Sequence, residues 1–145
     1  MLKKIALPLL LLLTASVYLY TATSRAILDD GDALYASVAR QMVERGEWVT
    51  PYDNGVRFLD KPPIMYWLMG LTYDALGVNE FAARLPSMLA VLGIGLLLYI
   101  TGKKYAGQPA GFAAALAGTF CVGMFLFTLM VFPDILFVFF LMVSL

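Results

Sequence analysis

Three charged sites stand out in a mostly apolar chain: Asp29, Asp30 and Asp32; Asp60-Lys61-Pro62-Pro63; and Asp134 in Phe132-Pro133-Asp134-Ile135. Three acids within four residues repel one another, which can raise one pKa and poise a general base, or gather a divalent cation. Asp30 or Asp32 can also cap a helix, but one cap accounts for only one aspartate. In the second cluster each proline biases the residue before it toward extended backbone, so Asp60 and Lys61 are held out of the helix that follows. A lysine so placed suits a phosphate at headgroup level, and the adjacent carboxylate can orient it or bind a cation. The plain alternative is a solvated ion pair, or a lysine reaching for lipid headgroups. Asp134 lies between long uncharged runs, where a carboxylate is costly and is usually functional or paired. It could equally cap a helix that starts after Pro133. Arg84, ahead of Pro86, is a candidate partner for one of these acids or for a lipid phosphate, whereas Arg40 and Arg45 are expected to be structural.

The chain has no histidine, so a bound metal would rest on carboxylates and carbonyls, which suit Mg or Mn rather than zinc. Its one cysteine, Cys121, sits in an apolar run and permits no intrachain disulfide. Net charge is zero and no basic stripe interleaves with aromatics, which sets nucleic acid aside as a partner.

The elements that must position these residues are those of a membrane protein. Of the 145 residues, 61% are hydrophobic and 14% charged, far from the balance of a soluble domain. Uncharged runs over residues 5–24, 85–101, 110–132 and 135–145 predict four transmembrane helices, the last truncated where the chain stops, in an all-α polytopic fold. Lys3 and Lys4 before the first run would also fit a cleaved signal peptide. Its length, with Tyr18 and Tyr20 at aromatic-belt depth, favours a retained span. Lys103, Lys104, Gly107 and Pro109 mark a turn between the second and third runs.

Residues 21–84 hold nine of the ten acids and six of the ten basic residues, and so form a polar loop. Lys3, Lys4, Lys103 and Lys104 fall on one side of alternating spans, which the positive-inside rule makes cytoplasmic; the acidic loop then faces outward, with Asp134 on the same side. Within the loop, Leu34, Val38 and Met42 recur at helical spacing, with Asp30 or Asp32 as a cap and Gly46 past the end. Residues 64–76 are apolar nearly all round but too short to span, which predicts an interfacial helix. Asp53-Asn54-Gly55 marks a tight turn between WVTPY and VRFL.

The acidic cluster, the run ALYASVARQMVERGEWVTPYDNGVRFLDKPPIMYWL, then GVNEFAARLPS and FPDILFVFF together resemble the amino-terminal region of type C membrane glycosyltransferases. These are the bacterial enzymes related to protein O-mannosyltransferases and lipid A aminoarabinose transferases. The likeness runs from about Leu28 onward and is most specific from Gly46-Glu47-Trp48 to Asp60-Lys61-Pro62-Pro63 and Tyr66-Trp67. It implies a multi-pass enzyme of the cell inner membrane that moves a sugar from a polyprenyl-phosphate carrier to a lipid, glycan or protein acceptor at the outer face. It also implies a catalytic acid in the first outer loop, here Asp30 or Asp32. The family's adjacent Asp-Glu pair is replaced by Asp30-Gly31-Asp32, and an ungapped alignment puts Gly31 where the aspartate stands. Lys61, with Arg84, is the expected ligand of the donor phosphate; Asp60 and Asp134 are the expected supporting or metal-binding acids.

The rival class is a transporter or assembly subunit whose acids line a path. Transporters place such residues near mid-membrane, whereas these fall at span ends, which favours the enzyme.

Overall fold

The computed structural model describes residues 2–24, 27 and 30–145, with the side chains of residues 2–6, Asp30 and Asp32 outside the description. The elements in order are α1 (Leu2–Ser24), α2 (Asp30–Arg45), β1 (Tyr52–Asp53), β2 (Val56–Arg57), α3 (Ile64–Leu76), α4 (Glu80–Thr119), α5 (Val122–Leu129) and α6 (Asp134–Ser144). Among the described residues two helices are long and apolar enough to cross a membrane, Leu7–Ser24 within α1 and the whole of α4.

The 40 residues of α4 would reach about 60 Å if straight, twice the thickness of a hydrocarbon core. The helix instead breaks at Gly107, whose φ of 85° and ψ of 173° suit glycine almost alone. The limbs on either side, residues 80–106 and 108–119, fold back on each other through small residues. A Cβ added at Gly102 would lie 2.8 Å from the Gly111 Cα, and one at Gly95 would lie 2.7 Å from Thr119 Cγ2. Backbones that approach this closely leave room only for hydrogen. The turn predicted around Gly107 is therefore present.

The long run 110–132, expected to be one span, is divided. The second limb of α4 ends at Thr119, Cys121 is extended with φ −67° and ψ 148°, and α5 starts afresh at Val122. Uniform apolar composition hides such a break, because it is made by backbone geometry rather than by polarity. The second run also starts earlier than its composition suggests. Asn79 caps α4 by accepting from the Ala82 amide at 2.9 Å, which draws Arg84 into the helix.

α1 packs along α4, with Leu10 buried against Tyr99 and Ala115. Tyr18, expected at the aromatic belt, is instead 2% exposed and donates its hydroxyl to the Thr119 carbonyl at 2.6 Å. The phenol satisfies a carbonyl at the end of an α4 limb, so packing overrides the interfacial preference of tyrosine. Tyr20 remains exposed.

Candidate functional site

The site is built on α2. Its buried face, Tyr35, Val38, Ala39 and Met42, follows the helical period read from the sequence, and Gly46 with φ 66° ends it. Tyr35, Val38 and Met42 pack with Tyr66 of α3 and with the partly buried Trp48, Phe58 and Phe132.

The segment between α2 and α3 is fixed by local contacts. Asn54 and Gly55, with φ of 49° and 84°, make the tight turn that joins β1 to β2, pairing Tyr52 with Arg57 and Asp53 with Val56. The Phe58 amide extends the pairing to the Pro51 carbonyl at 2.9 Å, and the Arg45 guanidinium lies 4.7 Å from the Tyr52 ring centroid. The edge of the Trp48 six-membered ring abuts α3 where Gly70 has no side chain; a Cβ there would come within 2.8 Å of the indole. Trp67 donates its indole N–H to the Trp48 carbonyl at 2.6 Å. These contacts explain physically why Gly46-Glu47-Trp48 and Tyr66-Trp67 stand out. They clamp the loop to α3, so that Asp60 and Lys61 are delivered immediately before Pro62-Pro63 and the start of α3 at Ile64.

The third wall comes from the α5–α6 turn. Val131, a β-branched residue held at φ 38° and fully buried, carries strain that the surrounding packing must overcome. The turn directs Phe132 onto α2. Its ring meets Tyr35 edge-on with centroids 6.0 Å apart, and it approaches Gly31 so closely that a Cβ there would lie 3.1 Å away. Asp134, two residues on, opens α6 and is exposed.

Tyr35 is where these parts converge. Its ring stacks on Tyr66 at 6.0 Å, and its hydroxyl feels the charges of Lys61, Asp60 and Asp134 together. Burial raises its pKa; Lys61 lowers it, and the two aspartates raise it. The phenol is therefore a neutral donor at physiological pH. Asp60, Lys61 and Asp134 are all exposed, so a cation and two anions are available to a ligand beside one buried tyrosine. Tyr66 is pushed up further, by burial first and then by Tyr35 and Asp60, and its buried hydroxyl has no hydrogen-bond partner among the described residues.

The sequence-derived residues thus divide. Asp60, Lys61 and Asp134 share the electrostatic environment of Tyr35. Asp30 and Asp32 belong to the first turn of α2, on either side of the Gly31 that meets Phe132. Asp29 lies outside the described residues. Arg84 has a different setting from the exposed Lys61: it is 1% exposed, with Nε donating to the Leu129 carbonyl at 3.1 Å and a terminal nitrogen to the Ala22 carbonyl at 2.9 Å. It joins α4 to the ends of α1 and α5. Sequence reading missed Tyr35 and Phe132. The available signal was an aromatic four residues after Gly31 on the buried face of α2, but its partners are 31 and 97 residues away in the chain. Among the described residues no three metal-ligating side chains gather, so Asp60 and Asp134 would need a further ligand to hold a divalent cation.

Comparison with known proteins agrees with this architecture. Residues 60–145 match the family model for dolichyl-phosphate-mannose-protein mannosyltransferase. An undecaprenyl phosphate-alpha-4-amino-4-deoxy-L-arabinose arabinosyl transferase 2 from Pseudomonas fluorescens is 34% identical over 116 residues, covering 79% of this chain and 20% of that protein. Its namesake from Proteus mirabilis is 30% identical over 114 residues, 78% of this chain and 21% of that one. The crystal structure of ArnT from Cupriavidus metallidurans in the apo state superposes with a TM-score of 0.71 at 25% identity, over 76% of this chain and 20% of that one. The same protein bound to undecaprenyl phosphate gives 0.67 at 23% identity, over 85% of this chain and 25% of that one. The chain therefore spans about a fifth of the length of the relatives it matches. With a family model matched over more than half its length and this fold around Tyr35, the chain belongs to the dolichyl-phosphate-mannose-protein mannosyltransferase family.

Proposed function

We propose that this chain supplies the donor-phosphate half of a glycosyltransferase that moves a sugar from a polyprenyl-phosphate carrier to an acceptor at the outer face of the inner membrane. The observation that carries this reading is the convergence of Lys61, Asp60 and Asp134 on Tyr35, on the helix that begins with Asp30 and Asp32. Relatives named for undecaprenyl-phosphate aminoarabinose transfer, and a structural neighbour bound to undecaprenyl phosphate, support the choice of carrier.

In this reading the bond between the anomeric carbon and the carrier phosphate oxygen breaks, and its electron pair leaves with the phosphate. Lys61 stabilises the charge that develops there, and the Tyr35 hydroxyl donates to the same group. The acceptor oxygen bonds to the anomeric carbon and, if it is a hydroxyl, gives its proton to Asp30 or Asp32. A phosphate acceptor would need no base. Among the described residues Asp60 and Asp134 share the surroundings of Tyr35 with Lys61 without pairing with it, which leaves the ammonium available to the phosphate. Arg84, buried among backbone carbonyls, supports the phosphate subsite by holding the α5–α6 turn in place. A divalent cation would be held by Asp60 and Asp134 with one more ligand, adding positive charge at the phosphate.

The test is transfer of radiolabelled sugar from a polyprenyl-phosphate donor by the complete protein in membranes. Lys61→Ala is expected to abolish transfer with insertion unchanged, and at least one of Asp30→Ala and Asp32→Ala to do the same. Full turnover in Lys61→Ala, or in both aspartate variants, would overturn the assignment.

A further inference from the structure

A cleft of about 440 Å³ opens on a different side of α2 from Tyr35. The faces are distinct: the Tyr35 site uses Gly31, Tyr35, Val38 and Met42, while the cleft is lined from α2 by Ala33, Ala36, Ser37 and Arg40. Its far wall is Tyr73 of α3 with Val78, Asn79 and Glu80 at the entry to α4. The size is that of a small-ligand site.

The charges in it are opposite and held apart. Arg40 pairs along its own helix with Glu44 at 3.5 Å, both side chains more than half exposed, and it makes no ion pair with Glu80. Among the described residues Glu80 has no ion-pair partner. Yet both act on one group: the Tyr73 hydroxyl, raised to about 12 chiefly by burial, is pulled down by Arg40 and up by Glu80. A cation and an anion that share a cavity without closing on each other match a ligand carrying the two complementary charges. Val78, which lines the cleft, is exposed, and α3, which supplies Tyr73 to its wall, also presents Trp67, Leu71 and Leu76 at the surface.

We infer that this cleft binds the zwitterionic headgroup of an amino-phospholipid, with the phosphate on Arg40 and the primary ammonium on Glu80. Arg40 has the fork that grips a phosphate, Ser37 and Tyr73 add neutral hydroxyls, and Ala36 and Val78 receive the start of the lipid's apolar part. The site is separate from the donor-phosphate site and does not depend on it.

The test is native mass spectrometry of the complete protein in detergent, titrated with dioleoyl phosphatidylethanolamine, with dioleoyl phosphatidylglycerol, and with soluble glycerophosphoethanolamine. Phosphatidylethanolamine should bind saturably and more tightly than phosphatidylglycerol, with the soluble headgroup far weaker. Arg40→Gln should weaken both lipids by about tenfold or more. Glu80→Gln should remove only the preference, bringing phosphatidylethanolamine down to the level of phosphatidylglycerol. If Arg40→Gln does not fold, Glu80→Gln decides, because its side chain is exposed and its loss touches only the first turn of α4. Phosphatidylethanolamine bound equally by the parent and Glu80→Gln would overturn the inference. So would a soluble headgroup that binds as tightly as the lipid, since the cleft would then take a free amino-phosphate. No readout involves sugar transfer, so failure here leaves the proposed enzyme activity untouched.

Discussion

Gly31 and Phe132 lie in contact across 101 residues of chain: a Cβ on Gly31 would sit 3.1 Å from the Phe132 ring. The glycine lets the first turn of α2 back onto the α5–α6 turn, and so brings Asp134 to the helix that starts with Asp30. Phe132 has little freedom to yield, because its ring also meets Tyr35 at 6.0 Å and Phe127 at 6.1 Å. Gly31→Asp, which would place the aspartate where the ungapped family alignment puts one, is therefore expected to cost about 1–3 kcal/mol by overpacking. Its thermal unfolding temperature should fall and sugar transfer should not rise. A variant that melts like the parent and transfers faster would show that residue 31 faces the reaction rather than Phe132.

Arg84 is buried and donates to the carbonyls of Ala22 and Leu129. Lysine keeps the charge but loses the fork that spans two helix ends, so Arg84→Lys should destabilise by about 1.5–3 kcal/mol. Thermal unfolding in detergent should reveal this as a lower midpoint. An unchanged midpoint with a raised KM for the donor would assign Arg84 to direct phosphate binding instead.

Gly107 holds φ 85° and ψ 173° at the fold-back of α4. Gly107→Ala should cost about 1–3 kcal/mol, since an L side chain is strained in that region whatever space surrounds it. Cysteine pairs placed on the two limbs, at Leu98 and Gly118, should crosslink more slowly in the alanine variant if the hairpin opens. Equal rates and equal stability would mean that the turn tolerates a side chain.

Burial raises the pKa of Tyr73 from 10.0 to about 12. A raised phenol pKa favours the neutral form in the folded state. Its stabilising contribution is present in full below pH 10 and is lost as pH climbs through about 12. Unfolding free energy measured across that alkaline window should fall with pH, and Tyr73→Phe should flatten the fall. An unaltered slope in Tyr73→Phe would place the titration elsewhere, with Tyr66 the next candidate because burial raises it too.

Much of this protein follows from local sequence alone. Apolar spacing and Gly46 delimit α2, Asn54-Gly55 makes the turn between β1 and β2, the prolines at 62 and 63 set the start of α3, and Gly107 turns α4 back on itself. Each depends on the conformational preference of a few neighbouring residues, which is why each was legible. The acids and Lys61 could likewise be recognised by type, because a charge in an apolar chain is conspicuous. Only the tertiary structure decided which of them meet. The break at Cys121 leaves no mark in a uniformly apolar run, and the burial of Tyr18 and Arg84 depends on carbonyls at the ends of other helices. The centring of Asp60, Lys61 and Asp134 on Tyr35 arises from rings and a glycine brought together from three separate parts of the chain. Composition and spacing specify what each segment can form, but the partner of a buried polar group is set by packing between segments.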